Sequence, residues 1–285
     1  MDFDNAEKLK AFLKAESIRL GISINNTYNT YFARILLERI NKWSNNEIFV
    51  KGSFSEYGHI GRLVRPITDV DLVSIDGSKD TLELIFKSIY MCNKDKGVNF
   101  ELAKAPTQTK TGIYKVSFVA NFGKIEHHMS MDFQEKSNTI YERDYKVIPP
   151  IFKGDYYFGV CMPTLEEYLA EKLCIVLENN KEDVINTRVK DFYDIWKLLE
   201  CEYVANKVEE FFCRMIVDRN KTNVDTLDVS FLNEDYIERH QQIWDEISQK
   251  YEFLDKSIDL EHAVHATRSM LNHEVEYFQR VRKRY

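Results

Sequence analysis

Residues 49–73 read FVKGSFSEYGHIGRLVRPITDVDLV, and they predict an apolar strand, a small-residue turn and a second strand that carries two acids. Side chains two apart on a strand point to the same face, so Asp69 and Asp71 project together while Val70 and Leu72 face a core. One divalent cation can bridge two such carboxylates and relieve their repulsion. The alternative is a solvated strand end that holds no ligand.

The predicted turn consists of Gly52 and Ser53, and we expect a short helix in the connection from Phe54 to Arg65 that follows it. Glycine lets the backbone approach a ligand closely, and turn amides together with a hydroxyl can hold a phosphate. Arg65 adds positive charge between this turn and Asp69. Because Mg2+ commonly takes substrate phosphates as ligands, the whole segment indicates a site for a nucleoside triphosphate and a metal.

Composition limits the classes of function. The chain has 285 residues, of which 44% are hydrophobic and 13% aromatic, enough for one large domain or two lobes. The net charge of -7 argues against broad nonspecific binding of nucleic acid, which depends on many Lys and Arg contacts to phosphates. Any RNA contact must therefore be local. A basic cluster near the C-terminus is either such a contact or a solubilising end; it comprises Arg280, Arg282, Lys283 and Arg284.

The cellular compartment is predicted from two features. The five cysteines form no CxxC pair, which favours reduced thiols over a zinc site or a disulfide framework. We see no signal-peptide pattern and no run of about 18 apolar residues, so we expect neither secretion nor a membrane span. These features predict a cytoplasmic protein.

The periodicity of apolar residues changes along the chain. Helical spacing over 6–20, 28–43 and 80–91 is mixed with strand patterns at 48–50, 69–73, 98–102, 112–120 and 124–133, whereas almost everything after Met162 has helical spacing. We expect loops and one short strand in 137–160, where Pro149 and Pro150 interrupt any element. This order predicts an α+β protein with a mixed β-sheet lobe at 1–160 and a helical lobe at 161–285.

Asp132 is a third candidate metal ligand if its strand lies beside the Asp69 strand, or else a solvent-facing acid.

Lys172 lies within the apolar stripe of the first helix of the helical lobe, where a lysine either extends outward or is paired. Asp191 and Asp194 share one side of the next helix. If the two helices form an antiparallel hairpin, Lys172 can face Asp191 or Asp194. The alternative is a surface pair between Lys190 and Asp194, worth only ~0.3–0.5 kcal/mol.

Three separated pieces of the chain together resemble the AbiEii family of nucleotidyltransferase toxins, which belongs to bacterial type IV toxin-antitoxin and phage-defence systems and includes the MenA-like tRNA-modifying toxins. The similarity covers roughly residues 48–200. Its pieces are Gly52-Ser53 with Arg65 and Asp69-Val70-Asp71, then Lys172, then Arg188-Val189-Lys190-Asp191 with Asp194.

The resemblance implies a nucleotidyltransferase lobe of the polymerase beta type followed by a helical lobe. It implies that Gly52 and Ser53 hold the triphosphate and that Asp69 and Asp71 bind Mg2+. It also gives Lys172 a phosphate contact, makes Asp194 part of the catalytic set, and places Arg65, Arg188, Lys190 and Asp191 at the nucleotide. The family usually has Ser or Thr two residues before the first metal aspartate, and here that position is Ile67.

We therefore predict a Mg2+-dependent nucleotidyltransferase that moves a nucleoside monophosphate from an NTP to an acceptor, with the 3′ end of tRNA as the expected acceptor. The resemblance implies that it acts as a toxin with a cognate antitoxin. Two alternatives remain from the sequence. One is a small-molecule nucleotidyltransferase of the antibiotic-modifying type, and the other is a non-catalytic module that binds nucleotide or RNA.

Overall fold

The structure is a computed structural model of the chain. It describes residues 3–43, 48–74, 80–91, 95–135, 142, 144–179, 188–219, 227–250 and 255–282. Lys283, Arg284 and the expected helix connection at 180–186 lie outside the described residues. The chain divides into two compact units, of which the first comprises Met1–Ser137 with Arg143–Met162 and the second comprises Asn138–Glu142 with Pro163–Tyr285.

The first unit contains helices and strands in alternation. In its described part the helices are α1 (Ala6–Leu20), α2 (Ile24–Trp43), α3 (Gly52–Ile60) and α4 (Asp80–Met91). The strands are β1 (Ile48–Lys51), β2 (Asp69–Ser74), β3 (Asn99–Leu102), β4 (Thr107–Gln108), β5 (Ile113–Phe122), β6 (Ile125–Gln134), β7 (Asp144–Ile148) and β8 (Phe158–Met162).

These strands form one mixed sheet. Its order is β3-β5-β6-β2-β1-β8-β7, and β4 pairs with β5 outside this path. The β2–β6 and β1–β8 pairs are parallel and the other pairs are antiparallel. The predicted fold class, α+β with a mixed sheet and helices, is confirmed.

The alternation predicted for β2 and β6 separates a core face from a polar face. Val70 and Met131 are fully buried. On the same face of β6, the ring of His127 stacks 5.7 Å from Phe32 of α2. Helix α2 therefore covers this face, and the other face of the central strands carries the polar side chains.

One local prediction for this unit is corrected by the structure. The short helix predicted between Phe54 and Arg65 is present as α3, but it begins earlier: Gly52 and Ser53 open it instead of forming a simple turn, and Phe54 and Tyr57 bury their rings in the core. Only tertiary contacts select the start of α3 at Gly52, since glycine disfavours helices. The short strand predicted in 137–160 is present as β7, which pairs along its length with β8.

The second unit is helical in its described part, as predicted. Its helices are α5 (Leu165–Asn179), α6 (Lys190–Leu199), α7 (Ala205–Asp218), α8 (Glu234–Lys250) and α9 (Leu260–Val281). The Thr164 hydroxyl accepts a hydrogen bond from the Glu167 amide at 3.3 Å, so it caps the start of α5. Within the described ranges, no helix combines the length and the apolar character needed to cross a bilayer.

Candidate active site

Four adjacent strands present a row of charged side chains on the polar face of the sheet. Lys115 of β5 is opposite Asp132 of β6, and Asp132 is beside Asp71 of β2. Asp71 is in turn opposite Lys51 of β1. Neighbouring strands lie about 4.8 Å apart, so this charged row crosses roughly 15 Å with the signs plus, minus, minus, plus.

A second row runs parallel to the charged row and contains one acid and two hydroxyl groups. Asp69 of β2 lies beside Ser130 of β6, and Ser130 is opposite Ser117 of β5. Asp69 is two residues from Asp71 on the same strand and therefore shares its face, as the sequence predicts. Both members of the predicted metal pair thus lie in the middle of the polar face.

The electrostatic surroundings of Asp71 favour a bound cation. Burial is the largest reason that the pKa of Asp71 is raised to about 6, and the charges of Asp69 and Asp132 add to it. Arg65 and Lys51 act in the opposite direction but do not cancel this effect. A carboxylate that is costly to ionise next to two others gains from a divalent cation, which can replace its proton.

Asp132 lies beside the metal pair, but its carboxylate has another partner. Its Oδ2 is 3.0 Å from the Lys115 ammonium. Mainly because of this hydrogen bond and the charge of Asp132, the pKa of Lys115 is raised, and the charges of Asp69 and Asp71 contribute. In the part of the chain that the structure describes, no group of three or more His, Cys, Asp or Glu side chains is arranged to hold a metal ion. The structure therefore presents Asp69 and Asp71 as a pair, with Asp132 bound to Lys115.

The first turn of α3 lies against Asp71. Gly52 has a positive φ of 62°, and a Cβ added there would be 1.9 Å from the Asp71 Oδ2 atom. Ser53 follows; it is 5% exposed, and its hydroxyl has no hydrogen-bond partner among the described residues. A buried hydroxyl without a partner at a helix N-terminus is suited to an anionic ligand, because the amide groups and the helix dipole there also favour negative charge.

Arg65 and the residues before Asp69 are also fixed. The Arg65 Nε atom is 3.0 Å from a carboxylate oxygen of Glu56, which is buried in α3. Ile67, at the position where a hydroxyl residue was expected, is fully buried in the core. The hydroxyl of Thr68 instead donates to Asp69 Oδ1 at 3.1 Å. In this chain, a hydroxyl hydrogen bond to the first acid therefore comes from the adjacent residue.

The second unit contains the other predicted site residues. Lys172 is 6% exposed, and its ammonium donates at 2.8 Å to both Asp191 and Asp194. This confirms the predicted pairing, with both acids instead of one. Arg188 also bonds Asp191, at 2.6 Å from its Nε atom. Burial acts to raise the pKa of Asp191, but the Lys172 charge and the Arg188 hydrogen bond hold it well below its usual range.

The charge of this cluster is balanced. Two cations, Lys172 and Arg188, meet two carboxylates, and the partly buried Lys190 begins the helix that carries both acids. The lowered pKa of Asp191 means that this carboxylate is ionised at neutral pH.

Two cations of the charged row were missed at the sequence level. Lys115 and Lys51 carry no motif, but the hairpin turn gives the position of one of them. Phe122 pairs with Ile125 across the turn, and counting back along both strands places Lys115 opposite Asp132. The predicted strand ends, residues 120 and 124, would instead have placed Lys115 opposite Met129, so this contact depends on the register that the structure shows.

Comparison with protein families agrees with this geometry. Residues 44–266, more than half of the chain, match the family described as nucleotidyl transferase AbiEii toxin, Type IV TA system. The chain belongs to the AbiEii family. As an AbiEii nucleotidyltransferase it acts on a nucleotide, and enzymes of this class use a divalent metal, for which Asp69 and Asp71 supply suitable oxygen ligands. No curated protein is significantly similar in sequence.

The solved structures that this AbiEii chain resembles are distant from it. JHP933 from Helicobacter pylori shares 15% identity over 91% of this chain and 95% of its own, with a TM-score of 0.45. The antibiotic-resistance factor ANT(2'')-Ia shares 15% identity over 67% of this chain and 95% of its own, with a TM-score of 0.40. An antigenic nucleotidyltransferase-like protein from Paracoccidioides brasiliensis shares 14% identity over 71% of this chain and 91% of its own, with a TM-score of 0.38.

Proposed function

We propose that this AbiEii nucleotidyltransferase uses Mg2+ to transfer a nucleoside monophosphate from an NTP to the 3′ end of tRNA, and that it acts in the cytoplasm as a toxin countered by a cognate antitoxin. The observation that carries the proposal is the approach of Gly52 to Asp71. It joins a possible phosphate site to the Asp69–Asp71 pair within one compact unit.

The triphosphate is assigned to the first turn of α3. Ser53 supplies its buried hydroxyl, and the amide groups of this turn supply further donors. Arg65 and Lys51 add positive charge, since both act on Asp71. These groups suit the negative charge that develops on a leaving pyrophosphate.

The reaction that fits this arrangement is an in-line displacement. The acceptor hydroxyl oxygen forms a bond to the α-phosphorus, the bond from that phosphorus to the pyrophosphate oxygen breaks, and the hydroxyl proton is released to a carboxylate or to water. Asp69 and Asp71 would hold Mg2+, with Asp132 as a third candidate ligand. When bound there, Mg2+ would neutralise phosphate charge and favour the attacking oxygen.

The proposal also assigns roles to residues of the helical unit. Lys172 and Asp194 are required for transfer, Lys172 as a phosphate contact and Asp194 as part of the catalytic set. Arg188, Lys190 and Asp191 contribute to nucleotide binding. The mutual hydrogen bonds of Lys172 with both acids support their action as a group.

A transfer assay tests the proposal. The purified protein is incubated with Mg2+, total tRNA and each of the four NTPs labelled at the α-phosphate. We expect label at the tRNA 3′ end with the wild type, and none with Asp69→Asn, whose circular dichroism should match the wild type. Full activity in Asp69→Asn would refute the proposed mechanism. Label on a small acceptor instead of RNA would show that the acceptor is a small molecule and not tRNA. NTP binding that needs no Mg2+ and gives no turnover would indicate a non-catalytic module.

A further inference from the structure

The strand order separates two sides of the proposed reaction centre. Strand β2 carries Asp69 and Asp71, with β1 on one side and β6 followed by β5 on the other. Helix α3 continues directly from β1, so Gly52 and Ser53 lie on the β1 side. If the triphosphate binds there, as proposed above, the leaving pyrophosphate also lies on that side.

In-line displacement places the attacking oxygen and the leaving group on opposite sides of the phosphorus. The acceptor must then approach over β6 and β5. The side chains on that part of the polar face are Asp132 and Lys115 in the charged row and Ser130 and Ser117 in the second row. Lys115 is the cation that these two rows place on the acceptor side, just as Lys51 is the cation on the triphosphate side.

The Lys115 side chain can change partners. It is 58% exposed while it contacts Asp132 at 3.0 Å. An ion pair so accessible to water is weak, so an incoming phosphate group can compete with it. Lysine ammonium groups bind phosphate as point charges, and the neighbouring serine hydroxyls can donate to ribose or phosphate oxygens.

We propose that Lys115 is an acceptor-binding residue whose ammonium contacts a backbone phosphate next to the 3′ end of the acceptor RNA, with Ser130 beside it. This inference rests on the proposed function and identifies the part of the site that selects an anionic acceptor. A cationic small acceptor would be repelled at the same place.

The test compares Lys115→Gln, Lys115→Glu and Lys115→Arg in the full chain, with Lys124→Glu as a matched control. Lys124 is an exposed lysine at the hairpin turn, roughly 25 Å from Lys115 along the strands. We measure the KM for tRNA at saturating NTP, the KM for NTP at saturating tRNA, and the dependence of the tRNA KM on salt.

For Lys115→Gln we expect the KM for tRNA to rise about tenfold, and for Lys115→Glu we expect a larger rise. Lys115→Arg should have a KM for tRNA close to that of the wild type. The KM for NTP should change little. The slope of log KM against log salt should fall by about 0.7, the value for one lost phosphate contact on single-stranded RNA. A change confined to folding would not alter this slope.

Two results would overturn this inference and leave the proposed function standing, provided that the wild type is active on tRNA. In the first, Lys115→Glu has the same KM for tRNA and the same salt slope as the wild type. In the second, Lys115→Glu and Lys124→Glu change the KM for tRNA equally. A wild type that never labels RNA would overturn the proposed acceptor and this inference together.

Discussion

Gly52 and Asp71 approach each other so closely that a Cβ on Gly52 would lie 1.9 Å from the Asp71 Oδ2 atom. Any side chain at residue 52 would therefore force the Asp71 carboxylate to move. The backbone that opens α3 is therefore set directly against a proposed metal ligand, and this contact is what makes the strand, the helix and the acid one site.

Gly52→Ala is expected to reduce transfer by about 100-fold or more, because the Cβ must displace the Asp71 carboxylate. The substitution also places alanine at a positive φ, which costs about 1–2 kcal/mol of stability. Gly61→Ala separates the two effects. Gly61 also has a positive φ, of 77°, but an added Cβ meets nothing within 4 Å.

The measurements are kcat in the transfer assay and the urea unfolding midpoint. Both variants should lose similar stability from the backbone, and only Gly52→Ala should lose activity. If Gly61→Ala were as inactive as Gly52→Ala, backbone strain in α3 rather than the position of Asp71 would explain the loss.

Mg2+ is expected to stabilise the protein in the absence of substrate. A ligand at about 100 times its dissociation constant adds about 2.7 kcal/mol to the unfolding free energy, which raises the midpoint of thermal unfolding by several degrees. Asp71→Asn should abolish this shift, whereas Glu101→Gln, an exposed acid on β3, should retain it. Differential scanning calorimetry at several Mg2+ concentrations measures both. An undiminished shift in Asp71→Asn would place the cation elsewhere.

Lys172→Met should destabilise the protein by about 3–5 kcal/mol, because it leaves Asp191 and Asp194 buried without their shared cation. Arg188→Gln is the matched comparison. The Arg188 side chain is 45% exposed, so its pair with Asp191 should be worth less than about 1 kcal/mol. Urea denaturation at pH 7 measures both losses.

The pH dependence of the Lys172→Met effect has a definite sign. A carboxylate whose pKa is lowered on folding stabilises the protein at pH values above its ordinary pKa of 3.8. That contribution is lost as the pH falls through the pKa of the folded state. The difference between wild type and Lys172→Met should therefore shrink below about pH 4. A difference that stays constant to low pH would mean that packing, not the charge of Asp191, explains the loss.

The sequence predicts the parts of this structure that depend on local periodicity. Alternation in β2 gives the shared face of Asp69 and Asp71, and a lysine within an apolar helical stripe indicates the buried partners of Lys172. Both predictions are confirmed because each follows from a repeat within one element and a short connection to the next.

Features that depend on contacts distant in sequence were predicted poorly. Nothing in residues 52–60 distinguishes a helix start from a turn, since glycine disfavours helices and Phe54 and Tyr57 find their partners only in the folded core. Strand β8 was not predicted, and its parallel pairing with β1 joins segments more than 100 residues apart.

Glu274 of α9 is fully buried, and neither of its carboxylate oxygens has a hydrogen-bond partner among the described residues. Burial, with a further contribution from the charge of Glu209, raises the pKa of Glu274 to about 8. The buried thiols Cys174 and Cys213 are close enough for Glu274 to raise their pKa values as well, although burial is the main cause there. The native state therefore favours the protonated acid.

This raised pKa predicts that stability falls as the pH rises from about 4.5, the ordinary value for Glu, to about 8, because the unfolded chain ionises Glu274 across that interval while the native state does not. Glu274→Met should remove this loss and stabilise the protein by about 1–3 kcal/mol at pH 8, with less effect at pH 5. Glu276→Met, at an exposed position of the same helix, should leave the pH profile unchanged. Urea unfolding at pH 5, 6.5 and 8 measures the profile. A Glu274→Met variant whose stability falls with pH as steeply as the wild type would show that Glu274 is ionised in the native state.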